Sequence, residues 1–587
     1  MSVVYLFSWI ALGGGFLLYQ KSKIKQQLFC WLPVVFLLVA CFDVLIAAFF
    51  SAIHVPVNIL SVGLANILTS IYFWYDILKY KKRQEYTFHF LDVVFAAVLL
   101  MIVCICAYKQ FGPDFRISYL TIDPSVHLQG AMDIVNSQAV SGMYFAQFGN
   151  AMFIETFSPL LSSAFDVYKL FIIADVGMLY LSGLMLYALI RRLFRTKFLQ
   201  ITGMILTFVY ILGYPLNNML YGFTYLGVGV TITGFIIYGT ECFLNAGIKR
   251  AVCVGMLSLG LLALMLCYLL FVPVVMLSVF ICLTVYLARG RKLFKKSTLL
   301  EYALIFLLPI IIGILYSYSG IFGQSHGGTT VGGAIALEGA IYRSLIANFV
   351  IFMPFVIYAV WKLLKERKNS PFAVMFLLLI IFMAGLLVLG LKGEVSSYYF
   401  YKNYYLLSLL YFCLAFYGIT YLAEKAFRFV CSYFLVWILL AGVAFSNLEA
   451  RINAVNPLFA PDITMNQMFG IYLYNNYFIS NGQEMDGGMY DLYKYVAENR
   501  EGTYVPNIDG GESRYWFEAL TNQRISDEEE ALYKEDPKQW IENILQDDEI
   551  QYILVFPSYD IVQPYLSQFD SMPKLYENAA GFVVEKQ

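Results

Sequence analysis

An aspartate and a histidine stand four residues apart early in a long gap between two apolar stretches. Asp123 is followed directly by Pro124, and His127 comes four residues after Asp123. An Asp-Pro pair predicts a helix start, with Asp at the N-cap and Pro at the first helical position. The spacing of four places the carboxylate and the imidazole on one face of that helix. Such a pair could serve as a general base toward a hydroxyl group, with His127 orienting Asp123 or contacting the donor substrate.

Two other interpretations fit the same residues. An Asp-Pro helix start on an amphipathic helix lying on the bilayer accounts for Asp123 without any chemistry. Asp133 adds a third candidate metal ligand, but it points about 120° away from His127, so the helix alone does not make three ligands converge. We therefore expect no cofactor, with a divalent metal as the open alternative. Asp114, nearer the preceding apolar stretch, competes with Asp123 for the role of base.

Cations that could bind an anionic ligand are few in the gaps that lie on the same side as Asp123. The candidates are Arg116, Lys169, Arg343, Lys392 and Lys402. Lys402 is the strongest, because it follows an aromatic run that contains Tyr399 and directly precedes an apolar stretch. A lysine that snorkels to lipid headgroups, beside tyrosines of an interfacial belt, is the competing explanation for this segment.

Three further residues are weaker site candidates. His326 lies in the glycine-rich segment 317–339, which suits a loop that orders over a bound ligand and also suits a plain connection. Asp43 and Asp175 fall inside apolar stretches, where an acid is costly unless it faces the interior of a helix bundle. We expect Asp175 to line a cavity and Asp43 to make a packing contact.

Apolar stretches long enough to cross a membrane position these residues. About fourteen are expected. They lie at 3–19, 29–50, 57–75, 91–108, 167–190, 198–212, 220–243, 251–268, 269–288, 299–316, 344–361, 372–391, 404–422 and 429–445. Basic clusters occupy every second gap, and the positive-inside rule makes those gaps cytoplasmic. The N-terminus, the gap 109–166 and everything after residue 445 are therefore predicted to lie outside.

Composition supports a multi-pass helical membrane protein. The 587 residues are 60% apolar and 13% charged, far from the balance of a soluble protein. The sequence contains no Walker loop and no HExxH, which argues against nucleotide hydrolysis. The expected surroundings are a lipid bilayer, and no nucleic-acid partner is predicted.

The last quarter of the chain differs from the rest. Residues 446–587 hold 24 acidic and 9 basic residues, which predicts a separate soluble extracytoplasmic domain. Helix-like and strand-like segments alternate there, as in an α/β domain. Helices are predicted at 489–498, 512–521, 537–545 and 559–569, and strands at 503–506, 551–556 and 581–585. The predicted organisation is extra N-terminal helices in 1–90, a transmembrane core in 91–445 and this acidic domain.

The region from residue 91 to the end resembles the GT-C superfamily of membrane glycosyltransferases. The run Tyr119-Leu120-Thr121-Ile122-Asp123 after a span, followed by an amphipathic helix with His127, is similar to the first outer loop of that family. Segments of the tail are similar to the extracytoplasmic domains of bacterial members: 512–521, 552–556, 575–578 and 581–584.

The resemblance implies transfer of a sugar on the outer face. The donor would be a polyprenyl-phosphate sugar, and the acceptor a glycan, lipid or protein of the cell envelope, usually with inversion. Asp123 would act as base, and a basic residue after an aromatic-rich outer loop, here Lys402, would contact the donor phosphate. A transporter or flippase for a lipid-linked glycan, and a non-catalytic component of polysaccharide assembly, remain alternatives.

Overall fold

The protein is mainly helical. The computed structural model describes residues 1–19, 25–80, 83–140, 142–193, 197–245, 248–317, 350–366, 369–446, 485–508 and 511–586. Within these ranges, eleven helices are long and apolar enough to cross a membrane. Many of them expose leucine, isoleucine, valine and phenylalanine side chains, as helices in contact with lipid do.

The first three helices gather around a buried acid. They are Ser2–Tyr19, Leu28–Ala52 and Ile59–Tyr80, and the fourth helix is Phe90–Phe111. Asp43 accepts hydrogen bonds from the Tyr5 hydroxyl at 2.8 Å, from Trp9 Nε1 at 3.0 Å and from the Asn66 amide at 2.8 Å. Because these donors come from the first and third helices, Asp43 joins the first three helices, in keeping with its predicted packing role.

The segment that connects the fourth helix to the next long helix is itself folded. It contains the helices Asp123–Ser137 and Phe148–Phe157. The first, which carries the candidate residues, is called the site helix below. The N-terminal bundle holds the far end of this segment, since Val57 N donates to Gln138 O at 2.7 Å and Ile59 N donates to Glu155 Oε2 at 3.1 Å.

The remaining membrane-type helices form the centre of the protein. Their bounds are Val167–Leu193, Lys197–Ile211, Tyr214–Tyr221, Thr224–Leu244, Arg250–Cys267, Val272–Arg289, Lys296–Tyr302, Leu308–Ser317, Met353–Glu366, Pro371–Leu391 and Ser397–Ser446. Thr224–Leu244 is buried along almost its whole length. It therefore lies at the core of the bundle, against which the other helices pack.

The number of helices that could cross a membrane differs from the fourteen stretches of the sequence. Ile59–Tyr80 is a helix of 22 residues, but its Asn, Ser and Asp residues lower its hydropathy, and it is not among the eleven. The stretch 344–361 lies partly outside the described residues, and its helix is described from Met353. The stretches 404–422 and 429–445 belong to one long helix that is interrupted at Ala426.

The C-terminal region combines helices with a four-stranded sheet. Its helices are Gly487–Asn499, the π-helix Gly511–Trp516 that continues into the α-helix Phe517–Thr521, Asp527–Glu535, Pro537–Gln546 and Leu566–Asp570. Its strands are Thr503–Tyr504, Tyr552–Val555, Lys574–Glu577 and Phe582–Glu585. The first two pair in parallel, and the other two pairings are antiparallel.

Three elements of this region depart from the sequence prediction, and one of them is the strand Lys574–Glu577, which was not predicted. Asp527–Glu535 forms a helix closed by a capping box between Ser526 and Glu529, although no helix was predicted there. The helix predicted at 559–569 is short, beginning with the turn Gln563–Tyr565 and ending at Asp570. Pro564 in that turn cannot donate a backbone hydrogen bond, which favours a late helix start.

Candidate functional site

The start of the site helix is fixed by contacts with the turn at residue 222. Leu120 N donates to Leu220 O at 2.8 Å, and the Thr121 hydroxyl donates to Tyr221 O at 2.7 Å. Gly222 has φ of +69°, and a Cβ there would lie 2.0 Å from Cγ of Pro124. Only glycine therefore fits against Pro124, and this close packing sets the position of the neighbouring Asp123.

The helix includes Asp123 instead of beginning after it. The capping position is Ile122, Pro124 lies in the first turn, and no side chain caps the helix, so the predicted N-cap role of Asp123 is wrong. Ser125 N bonds to Ile122 O, which closes the first turn without the carboxylate. Burial raises the pKa of Asp123 above its ordinary value, and the nearby Lys402 cation opposes that rise.

Lys402 is a buried cation among tyrosines. Its side chain is 7% exposed, and its ammonium donates to the Tyr225 hydroxyl at 3.1 Å. The same ammonium lies 4.0 Å from the Tyr398 ring centroid and 5.6 Å from that of Tyr399. Among the described residues, no carboxylate oxygen lies within 4.0 Å of it. Aromatic faces and one neutral hydroxyl thus hold a charge that a bound anion could neutralise.

His127 meets the same tyrosine from the site helix. Its ring centroid lies 4.8 Å from that of Tyr225, and its Nδ1 is 2.6 Å from Nε2 of Gln147. Burial and the Lys402 cation lower the pKa of His127 to about 3, so the imidazole is neutral at physiological pH. Its Nε2 is buried and has no hydrogen-bond partner in the described part of the chain.

Tyr225 therefore connects the three strongest sequence candidates. Its ring contacts that of His127 and its hydroxyl accepts a hydrogen bond from Lys402, while Asp123 acts electrostatically on both Tyr225 and Lys402. The ring centroid of Tyr268 lies 5.7 Å from that of Tyr225, and the buried Tyr268 hydroxyl lacks a hydrogen-bond partner among the residues described. One carboxylate, one imidazole, one ammonium and unsatisfied donors consequently surround a single aromatic ring.

Asp175 lies in a polar cluster with Tyr119 and Thr224. Its carboxylate accepts hydrogen bonds from the Tyr119 hydroxyl at 2.9 Å and from the Thr224 hydroxyl at 2.5 Å. It lines a cleft with about 400 Å³ of empty space, including open space, together with Asn218 and Tyr405. Its expected place in a cavity wall is consistent with this cleft, and neither of its two partners is Asp123 or His127.

The other candidates have different surroundings. Asp133 forms an ion pair with Arg524 and so faces away from His127, as its position on the helix predicts. Asp114 and Arg116 are exposed, and Lys169 pairs with Asp166 at 3.1 Å.

Tyr399 belongs to the aromatic rings around Lys402. Lys392 is exposed at a helix end, and Arg343 and His326 lie outside the described residues.

The C-terminal region holds the opposite face of the site helix. The Gln129 amide donates to Glu518 Oε2 at 2.7 Å, Asn136 donates to Asn522 at 3.1 Å, and Asp133 pairs with Arg524. Gln129 and Glu518 are both buried. The site helix is therefore positioned from two sides, by the membrane helices on one face and by the C-terminal region on the other.

Three residues of this arrangement were not identified from the sequence. Tyr225 and Gln147 carry no motif, and their contacts appear only when the chain is folded. Glu518 had a local signal, because it follows Arg514 at a spacing of four, and the two side chains do pair at 3.6 Å. Nothing in that spacing indicated the contact with Gln129.

Similarity to known proteins adds no further information. Neither the protein-family models nor the characterised proteins searched match this chain. The resemblance to membrane glycosyltransferases accordingly depends on the residues quoted above.

Proposed function

We propose that the protein is a membrane glycosyltransferase that moves a sugar from a polyprenyl-phosphate donor to an envelope acceptor on the outer face. The observation that carries the proposal is Lys402, a buried ammonium without a carboxylate within 4.0 Å among the described residues, beside Asp123 and His127. A cation in that state favours an anionic ligand, because burial makes an unpaired charge costly.

Lys402 offers one positive charge to a ligand phosphate. Lys402 is the cation that acts electrostatically on both Asp123 and His127, and His127 is neutral. A phosphodiester that links a sugar to a prenyl chain carries one charge, which Lys402 can balance. The apolar helices would place the protein in a bilayer, and the prenyl chain of the donor would dissolve in the same bilayer.

The reaction would proceed as a single displacement. The bond between the anomeric carbon and the phosphate oxygen breaks, and a bond from that carbon to the acceptor oxygen forms. The acceptor proton passes to Asp123 as general base, and the prenyl phosphate leaves beside Lys402. One carboxylate at the reacting centre is consistent with inversion.

The proposal extends to the architecture. We infer a bundle of about fourteen spans in total, in which extra N-terminal helices in 1–90 precede a GT-C-like core, and an extracytoplasmic α/β domain follows. The N-terminus and the C-terminal region would both lie outside. Support comes from the alternation of basic clusters and from the contacts between the C-terminal region and the site helix.

The experiment is sugar transfer in proteoliposomes with defined polyprenyl-monophosphate sugars. We expect Asp123→Asn to abolish transfer and Lys402→Gln to reduce it strongly, with both proteins still folded. Asp114→Asn and Lys392→Gln are the matched controls, because both parent residues are exposed and outside the site. Full activity of Asp123→Asn would refute the assignment. Movement of the intact lipid-linked sugar across the bilayer without transfer would instead favour a flippase.

A further inference from the structure

We propose that Gln147 is a positioning residue that fixes His127 in the tautomer with its proton on Nε2, so that His127 is a neutral hydrogen-bond donor to an oxygen of the bound donor substrate. This inference rests on the proposed function and assigns a role to a residue that carries no sequence motif. It separates the work of the two polar residues on the site helix, with Asp123 accepting a proton and His127 only donating a hydrogen bond.

The tautomer follows from the contact between the two side chains. Gln147 Nε2 lies 2.6 Å from His127 Nδ1. An amide nitrogen can donate a hydrogen bond but cannot accept one, so Nδ1 is the acceptor in this contact. The single proton of a neutral imidazole is then on Nε2. Gln147 is 3% exposed, which excludes water as an easy alternative partner for Nδ1.

The charged groups around His127 keep it neutral. Lys402 faces it from the long helix Ser397–Ser446 and opposes a second positive charge, while Tyr225 faces it from Thr224–Leu244. Asp123 lies one turn away on the same helix, but burial is the larger influence and sets the pKa of His127 to about 3. His127 is therefore neither a second phosphate-binding cation nor a proton donor at neutral pH.

The unsatisfied Nε2 indicates what the ligand must supply. A buried N–H with no partner in the described chain is costly, and an oxygen acceptor removes that cost. The neighbouring donor is the Lys402 ammonium, which also donates to the Tyr225 hydroxyl. A phosphate oxygen or a sugar oxygen between these groups and His127 would complete the set.

Nitrogen NMR of selectively ¹⁵N-histidine-labelled protein in proteoliposomes tests the tautomer without an activity assay. His54, His89 and His326 are replaced by Asn, which leaves His127 as the single signal. We expect a protonated Nε2 and an unprotonated Nδ1 throughout pH 5 to 8. A protonated Nδ1, or protonation of the ring near its ordinary pKa of 6.5, would overturn the inference.

Two variants at Gln147 separate positioning from packing. Gln147→Glu places a carboxylate against Nδ1, so the ring should become protonated at a higher pH and gain an Nδ1 proton. Gln147→Met keeps similar volume without a donor, and we expect a mixture of tautomers and a lower kcat with little change in KM. An unchanged spectrum in both variants would overturn the role of Gln147. If the spectra behave as expected while the wild type transfers no sugar, the proposed function fails and the tautomer assignment stands.

Discussion

The Gln129 amide on the site helix donates a 2.7 Å hydrogen bond to the buried carboxylate of Glu518 in the C-terminal region. Glu518 also accepts from Ile525 N at 3.1 Å and lies 3.6 Å from Arg514, which pairs with Glu530 at 2.6 Å. A connected polar network thus joins the candidate site to the fold of the C-terminal region. The C-terminal region consequently helps to orient Asp123 and His127.

Glu518→Ala should loosen the site helix. The substitution leaves Gln129 and Arg514 buried with incomplete hydrogen bonding, at a cost of about 2 to 4 kcal/mol. Hydrogen exchange measured by mass spectrometry should then accelerate in residues 123–137. Arg524→Ala is the control, because its exposed ion pair with Asp133 contributes less than about 1 kcal/mol. Equal exchange in both variants would show that the Glu518 contact does not hold the helix.

Gly222→Ala should damage the site more than a similar substitution elsewhere. The added Cβ meets Pro124 at 2.0 Å, so the start of the site helix must shift. Gly502→Ala is the matched control, since Gly502 has φ of +76° and nothing lies within 4 Å of its Cβ position. Both variants pay roughly 1 kcal/mol for a positive φ.

The measurement is sugar transfer together with thermal unfolding of both glycine variants. We expect Gly222→Ala to lose most of its transfer activity and Gly502→Ala to keep it. Comparable activity at comparable stability would mean that the packing of Pro124 on Gly222 does not position Asp123.

His127 makes stability depend on pH on the acidic side. Its pKa is about 3 in the folded protein against an ordinary 6.5, so between these values the unfolded chain binds a proton that the folded chain does not. The contribution to stability is therefore complete above pH 6.5 and is lost progressively as the pH falls toward 3. At pH 5 the loss amounts to about 2 kcal/mol.

Thermal unfolding of the wild type and of His127→Gln at pH 7.5 and pH 5 checks this effect. The wild type should lose more stability on acidification than the variant, because the variant has no imidazole to protonate. An identical pH response of the two proteins would show that His127 titrates normally in the folded state.

The sidedness of the site helix can be measured directly. Val126 is 38% exposed on that helix, and Phe294 is 88% exposed in a gap assigned to the cytoplasm. In a background where the exposed Cys104 and Cys431 are replaced by Ser, Val126→Cys should react with a membrane-impermeant maleimide on intact cells. Phe294→Cys should react only after permeabilisation. The reverse pattern would place the site on the cytoplasmic side and remove the basis of the proposed function.

The sequence was most informative where residue type and local spacing decide the outcome. Asp123 and His127 share a helix face because they are four residues apart, and Lys402 was notable because cations are rare in the gaps predicted to be outside. The structure brings these three residues around Tyr225, while their catalytic and binding roles stay predictions. The helical, membrane-type architecture followed from apolar content alone.

Other features depend on packing that local patterns do not encode. Tyr225 reaches the site from a distant helix, Gln147 from a short helical turn 20 residues after His127, and the Gln129 contact with Glu518 joins residues nearly 400 positions apart. The predicted N-cap role of Asp123 was wrong because the helix begins one residue earlier, and Ser125 N bonds to the backbone oxygen of Ile122. In contrast, the helix Asp527–Glu535 had a readable signal in its Ser526-x-x-Glu529 capping box.

Binding of a non-reacting polyprenyl monophosphate to the protein in nanodiscs tests the central claim most directly. The Lys402 ammonium should hold the phosphate, so Lys402→Gln should weaken binding by roughly 10- to 100-fold, the effect of losing a charged hydrogen bond. Lys392→Gln, which alters an exposed lysine, should leave the affinity unchanged. Equal affinities of the wild type and both variants would contradict the account.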